Sequence, residues 1–300
     1  MKRKLIKQGA GGFTVTLPIQ WIREHNLEQG AEVESEETEE GILISSGIKK
    51  KEKSIDLDIT KYDRRMLLNL LNQSYRLGYD TIKILYHEQE QATWIEEITA
   101  TLLGFEVVEK KNNTCILQNI AEPDEEKFEV ILRKIFLQIV DFSERVEKDM
   151  EKKECNENEI KSIKEQMDKL TNYARRAIIR KRRDAKTPLL YGIITQLSLI
   201  SHAYAYLLFY ATKKKYKMSK KITEHLQKAN KMFREYYEAF YNKDFVKLND
   251  IGKEKMMLET INNNLLEQSK GAEAVILTYI REIIRNVHMC TPATIGYYLE

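Results

Sequence analysis

Apolar positions step by three or four residues along much of the second half of the chain. Phe128, Ile131, Ile135, Ile139, Phe142, Val146 and Met150 do so. So do Ile160, Ile163, Met167, Leu170, Ala174 and Ile178, and again Ile222, Leu226, Ala229, Phe233, Tyr236 and Phe240. Each series is a single apolar stripe on a long helix. With an uncharged segment from Thr187 to Thr212 and helices near 245–268 and 271–288, the pattern predicts six helices from Pro123 onward. Three long helices followed by three more suggest a duplicated three-helix unit, although residue identity does not show a repeat.

Before Pro123 the period shortens. Ile55, Leu57 and Ile59 alternate with Asp56 and Asp58, the mark of a half-buried strand. A helix from about Tyr62 to Leu77 ends at Gly78, and one from about Ala92 to Leu103 ends at Gly104, both good residues to follow a helix. Thr81 to Tyr86 is a strand, and Phe105–Glu109 with Thr114–Gln118 form a hairpin about Asn112 and Asn113. The predicted order over 54–120 is β-α-β-α-β-β. Lys49-Lys-Lys-Glu-Lys precedes it as a charged linker.

Residues 1 to about 47 read as short strands with one short helix. Arg3–Lys7 and the β-branched Phe13–Leu17 are strand candidates about a turn at Gln8-Gly-Ala-Gly-Gly. Pro18 suits the first turn of a helix over Ile19–His25, because its missing N–H has no intrahelical partner there. Ala31–Glu34 and Gly41–Ser45 form a second, acidic hairpin.

Length and composition narrow the class. A 300-residue chain with 42% hydrophobic and 32% charged residues supports packed domains, about two or three by length. Cys115, Cys155 and Cys290 lie far apart with no CxxC spacing. They frame neither a disulfide scaffold nor a zinc site and fit a reducing cytoplasm. The basic start Met1-Lys-Arg-Lys lacks the apolar stretch a signal peptide needs. Thr187–Thr212 is long enough to span a bilayer, but Thr195, Gln196, Ser198, Ser201 and His202 crowd its middle. A buried bundle helix is the preferred reading, with no membrane insertion.

No P-loop, HExxH, GxSxG or EF-hand pattern is present. No enzyme and no cofactor are therefore expected, although an unrecognised site in 54–120 stays open. Glu165 with Asp168, and Asp250 with Glu254, are spaced to offer paired carboxylates to a cation. A solvated face is the plainer reading of both, and no metal is assigned. His202 reads as a satisfied core histidine.

The net charge of +3 conceals a sharp local split. From Met1 to Leu27, Lys2, Arg3, Lys4, Lys7 and Arg23 stand against Glu24 alone. From Glu28 to Ser46 there are seven glutamates and no Lys or Arg. The first block can approach phosphates, with Gln8, Thr14 and Thr16 adding hydrogen-bond capacity, and the second repels them. An ordinary surface strand pair is the alternative. Two further basic clusters, 175–186 and 213–221, flank the uncharged helix. They are solvated loop ends or they bind acidic partners or DNA.

The series Lys2-Arg-Lys-Leu-Ile-Lys-Gln-Gly, Phe13-Thr-Val-Thr-Leu-Pro, Trp21-Ile-Arg and Leu27-Glu-Gln-Gly-Ala-Glu-Val resembles the AbrB-type (MazE/SpoVT-like) swapped-hairpin DNA-binding domain. The resemblance covers residues 1–47 and implies a dimeric β-barrel. It implies that Lys2, Arg3, Lys4, Lys7, Gln8, Thr14, Thr16 and Arg23 face DNA while the hairpin with Glu34 to Glu40 points away. Gln20 stands where the family usually has a Lys, which removes one phosphate contact. Tyr75-Arg-Leu-Gly-Tyr-Asp-Thr-Ile-Lys-Ile and Leu102-Leu-Gly-Phe-Glu-Val-Val-Glu resemble segments of archaeal PhoU-type phosphate-uptake regulators with an AbrB-like head. The family's ExxxD metal motifs are not intact here, since Leu199-Ile-Ser-His-Ala replaces acidic residues.

The expected architecture is thus multidomain α+β: a swapped-hairpin domain at 1–47, a small α/β linker domain at 54–120, and a PhoU-like six-helix all-α bundle at 122–300. The expected function is a cytoplasmic, homodimeric DNA-binding transcriptional regulator tied to phosphate uptake. The alternative is an adaptor whose bundle docks on a phosphate-transport or signalling protein, with the head serving to dimerise.

Overall fold

The computed structural model describes residues 2–9, 11–38, 41–46, 52–121, 125–152, 156–181 and 185–299. Cys155, Glu39, Glu40, most of the 49–53 linker, and Arg182, Arg183 and Asp184 of the 175–186 cluster lie outside them. The chain divides into two compact units, Met1–Glu52 and Lys53–Glu300.

In the first unit, β1 (Ile6–Gln8) and β2 (Gly12–Thr14) pair antiparallel, with Ile6 opposite Thr14. Gly9 turns the chain at φ +64°, a left-handed value that a residue without a Cβ adopts at no steric cost. Both strands are shorter than the sequence pattern predicts. Leu5 and Val15–Leu17 have strand-forming side chains but no pairing partner among the described residues. Pro18 stands at the N-cap of α1 (Ile19–Glu24), one position earlier than predicted, and its carbonyl accepts the Ile22 N–H at 3.1 Å. The acidic hairpin is β3 (Glu34–Thr38) with β4 (Gly41–Ser45). β3 begins at Glu34 rather than Ala31, because the register puts Glu34 opposite Ser45 and the chain before it is still turning at Gly30 (φ +88°).

The second unit starts with β5 (Ser54–Asp58), α2 (Arg64–Arg76), β6 (Thr81–Leu85), α3 (Gln89–Thr99), β7 (Phe105–Lys111) and β8 (Thr114–Asn119), the predicted order. The sheet runs β5-β6-β8-β7, with β5 and β6 parallel and the remaining pairs antiparallel. Asp63 caps α2 by accepting the Met66 N–H at 2.8 Å. α3 starts three residues earlier than the apolar pattern indicated, where Glu88 and Gln91 form a capping box. It ends at Thr99, four residues early, and short i+3 turns at Thr101 and Leu102 carry the chain to Gly104. Leu67, Leu71 and Tyr75 of α2, Ile95 and Ile98 of α3, and Ile82, Ile84 and Leu117 of the sheet form one buried cluster.

Six helices follow among the described residues: α4 (Glu125–Lys152), α5 (Glu157–Lys181), α6 (Thr187–Lys214), α7 (Lys220–Asn242), α8 (Phe245–Gln268) and α9 (Ala272–Tyr298). Their apolar stripes meet in a second buried cluster. α6 is long and apolar enough to cross a membrane by length and composition. Here it packs against α4, α5 and α9 and buries residues on most sides, from Leu190 to Ala211. α9 runs ten residues beyond the predicted end although Pro292 lies inside it. Pro292 cannot donate to the His288 carbonyl, and the Thr291 hydroxyl donates to it instead at 2.8 Å.

Candidate nucleic-acid interface

Lys2, Arg3 and Lys4 precede β1, Lys7 and Gln8 lie on it, Thr14 ends β2, Thr16 follows it, and Arg23 sits in the last turn of α1. All eight side chains are exposed. Arg23 also complements the negative end of its own helix. The ribbon sorts the strand residues by face. Gln8 and Thr14 alternate onto the face that carries Ile6, whereas Lys7 lies opposite Phe13 on the other. The Thr14 hydroxyl donates to the Ile6 carbonyl at 3.4 Å, a long bond it can exchange for another acceptor. Within one copy, the structure therefore groups Gln8 with Thr14 and separates both from Lys7. On the acidic hairpin, Glu34 and Glu37 are exposed, and Glu34 accepts from Ser45 Oγ at 3.3 Å.

No described residue of 2–46 is buried. Leu5 is 71% exposed, Phe13 63%, Ile19 60% and Ile42 67%. An apolar surface of this density on so short a segment has no core of its own.

The two later basic clusters differ from each other. Lys213, Lys214, Lys215, Lys217, Lys220 and Lys221 are all exposed around the α6–α7 connection, where Lys215 takes a left-handed φ of +49°. The described arginines of the 175–186 cluster are not at a solvated loop end. Arg175 and Arg176 are buried, and Arg176 is 0% exposed. Its guanidinium donates to the carbonyls of Tyr75 at 2.9 Å and Tyr79 at 2.8 Å, and to Asp80 Oδ1 at 3.3 Å. It also lies 5.0 Å from the Tyr75 and Phe105 ring centroids. Arg180 donates to the Gly78 carbonyl at 2.8 Å and to Asp80. Its stem fills the space where a side chain at Gly78 would stand. Asp80 completes the set by accepting the Lys53 N–H at 2.9 Å. These two arginines clamp α5 to the end of α2 and are not available to a partner.

The paired carboxylates are also accounted for. Glu165 sits 3.8 Å from Lys161, while Asp168 takes Lys164 and His202 at 2.7 Å each. Burial opposes ionisation of Asp168, but His202 and Lys164 outweigh it and hold the carboxyl below its usual range. His202 is thus half-buried with a carboxylate partner rather than a core residue alone. Asp250 pairs with Lys253 at 2.7 Å and does not join Glu254. Burial, then the hydrogen bond and charge of Glu235, push the Glu254 carboxyl up to about 7. The sequence offered no signal for this cross-helix pair. Among the described residues no three His, Cys, Asp or Glu side chains gather into a metal-binding group.

Residues 12–56 match the family model described as antidote-toxin recognition MazE, bacterial antitoxin. The match takes in Thr14, Thr16 and Arg23 and starts after Lys2, Arg3, Lys4, Lys7 and Gln8. It runs through the acidic hairpin into β5. It supports the MazE/AbrB-like resemblance of the N-terminal region, and a domain of that type is regulatory and non-enzymatic. No curated protein and no solved structure matches the chain.

Proposed function

We propose that the chain is a homodimeric DNA-binding transcriptional regulator, with the basic end of its first unit on DNA. The observation that carries this reading is the MazE-type match over residues 12–56, directly after Lys2, Arg3, Lys4, Lys7 and Gln8, which are exposed together with Thr14, Thr16 and Arg23. Two copies that interleave their ribbons give Leu5, Phe13 and Ile19 the core that one copy lacks. Interleaving also supplies strand partners on both sides of the short ribbon. It doubles the five basic residues of the first block, and the glutamate-rich hairpin keeps phosphates to one side. The second unit, PhoU-like in its helices, senses or relays a signal linked to phosphate status.

A gel-shift assay of the full chain on genomic fragments at low salt tests the proposal. Retardation that weakens as salt rises is the expected result. No retardation at low salt refutes the DNA reading, since phosphate-driven binding is strongest there. Sequencing the DNA that co-purifies with the protein then gives the operator.

One observation favours a second reading. The six exposed lysines between 213 and 221 suit an acidic protein surface, as an adaptor docking on a transporter or kinase needs. Reversing Lys213, Lys214 and Lys215 abolishes partner capture under that reading and leaves DNA retardation unchanged under the first.

A further inference from the structure

Arg76 of α2 is held to Asn172, one turn before Arg175 on α5, and Arg175 faces Tyr191 of α6, beside the Arg176 clamp but outside it. Arg175 is only 5% exposed, and its Nε is buried with no hydrogen-bond partner. Among the described residues its one specific contact is the Tyr191 ring, with the guanidinium carbon 5.8 Å from the ring centroid. Arg76 is half-buried and uses its Nε to donate to Asn172 Oδ1 at 2.8 Å. Its terminal nitrogens have no partner among the described residues. Asn172 is itself fixed, donating to Asn72 Oδ1 at 3.0 Å.

This arrangement is costly as it stands. An arginine stays charged at any physiological pH, and a buried charge without a counter-charge is strongly disfavoured. Here two like charges are placed together, which adds repulsion. Burial, then the charge of Arg76, push the Arg175 guanidinium down to about 10. Asp168 is the carboxylate that both feel, but it is bound by Lys164 and His202 at 2.7 Å each. The contrast lies one residue away: Arg176 is at least as buried, and its terminal nitrogens donate to three oxygens. Among the described residues, the terminal nitrogens of Arg176 find oxygen acceptors and those of Arg175 find none.

We infer that Arg175 and Arg76 form a binding site for a small tetrahedral oxyanion, with phosphate as the best-fitting occupant. Two guanidiniums offer planar, forked donors that match phosphate oxygens. The Tyr191 ring closes the α6 side of the site beside Arg175. The occupant bridges α2 of the sheet layer to α5 and α6 of the helical layer, so binding stiffens the contact between them. This deepens the sensing half of the proposed function, yet the site rests on the arginine geometry and not on DNA binding.

The test is isothermal titration of the full chain with inorganic phosphate, without DNA and at low chloride, alongside thermal unfolding. Sulfate, acetate and adenosine monophosphate are run in parallel arms. Saturable phosphate binding is expected, with acetate weaker. Arg175→Met and Arg76→Gln should each weaken binding at least tenfold, while Lys214→Met leaves it unchanged. Without phosphate, Arg175→Met should unfold no earlier than the parent, since it removes an unpaired buried charge. Displacement of phosphate by adenosine monophosphate assigns the site to a nucleotide's phosphate and upholds the oxyanion chemistry. Absent saturable binding, or binding indifferent to both substitutions, overturns the inference. So does an Arg175→Met chain that is destabilised equally with and without phosphate. Because no DNA is present, failure here leaves the DNA reading standing, and failure of DNA retardation leaves this site standing.

Discussion

Arg176→Met is the sharpest test of how the helical layer is joined to the sheet. Methionine keeps most of the aliphatic stem and removes the guanidinium. Three hydrogen bonds vanish, two of them to the Tyr75 and Tyr79 carbonyls. The Tyr75 carbonyl keeps a backbone donor, the Gly78 N–H at 3.0 Å, so Tyr79 bears more of the loss. Asp80 retains Arg180 and the Lys53 N–H, which keeps its charge from being wholly uncompensated. Breaking a buried pair outright costs about 3–5 kcal/mol, so the retained Arg180 sets the expected loss near the lower end, about 3 kcal/mol. Asp80→Asn should also destabilise, because it leaves Arg176 and Arg180 facing a neutral amide. The double variant should fall short of additivity by about 1–3 kcal/mol, since each change removes the same pair. Urea unfolding followed by helical circular dichroism reads these values, because the second unit carries the long helices. A loss under about 1 kcal/mol for Arg176→Met, or strict additivity, would show that the clamp is not what holds α5 to α2.

Three further outcomes follow from the same structure. Glu254 has a folded-state pKa of about 7, above its unfolded value, so its contribution is fully present below about pH 4.5 and lost as pH rises through 7. Glu254→Gln should therefore stabilise the chain by about 1–2 kcal/mol at pH 8, after allowance for solvent screening, and not at pH 4, as chemical unfolding at the two pH values will read. Phe13→Asp places a charge on an apolar ribbon residue that is exposed in one copy. Under the interleaved-dimer proposal it should yield monomers by analytical ultracentrifugation, and an unchanged dimer argues against interleaving there. Lys214→Met, at an exposed position, should change stability by no more than about 0.5 kcal/mol in the same urea assay.

The helical half was legible because each long helix shows one stripe at helical spacing, as with Ile222 to Phe240. Pro292 hid the end of α9, since the hydroxyl that replaces its missing N–H comes from Thr291 and is not a pattern. The first unit was legible in its elements but not in their lengths, because no described residue there is buried in a core. The two basic clusters looked alike in sequence. Only packing separates Arg176, whose acceptors lie about a hundred residues earlier in the chain, from the exposed Lys213 to Lys221. The Asp168–His202 pair was hidden for the same reason, its members lying on different helices 34 residues apart. Charge and resemblance point to the candidate DNA-facing residues, and the ribbon register adds that Lys7 and Gln8 leave it on opposite faces.

The central claim is that the basic first block of each copy holds DNA. Fluorescence anisotropy of the full chain on a co-purified fragment, titrated at several salt concentrations, tests it most directly. If the ten basic side chains of a dimer neutralise about six to ten phosphates, affinity should fall by about 1,000-fold or more between 50 and 200 mM salt. The Arg3→Glu, Lys4→Glu chain should bind every sequence more weakly and show a shallower salt dependence. Binding that ignores salt, or that survives this double reversal unchanged, would contradict the account.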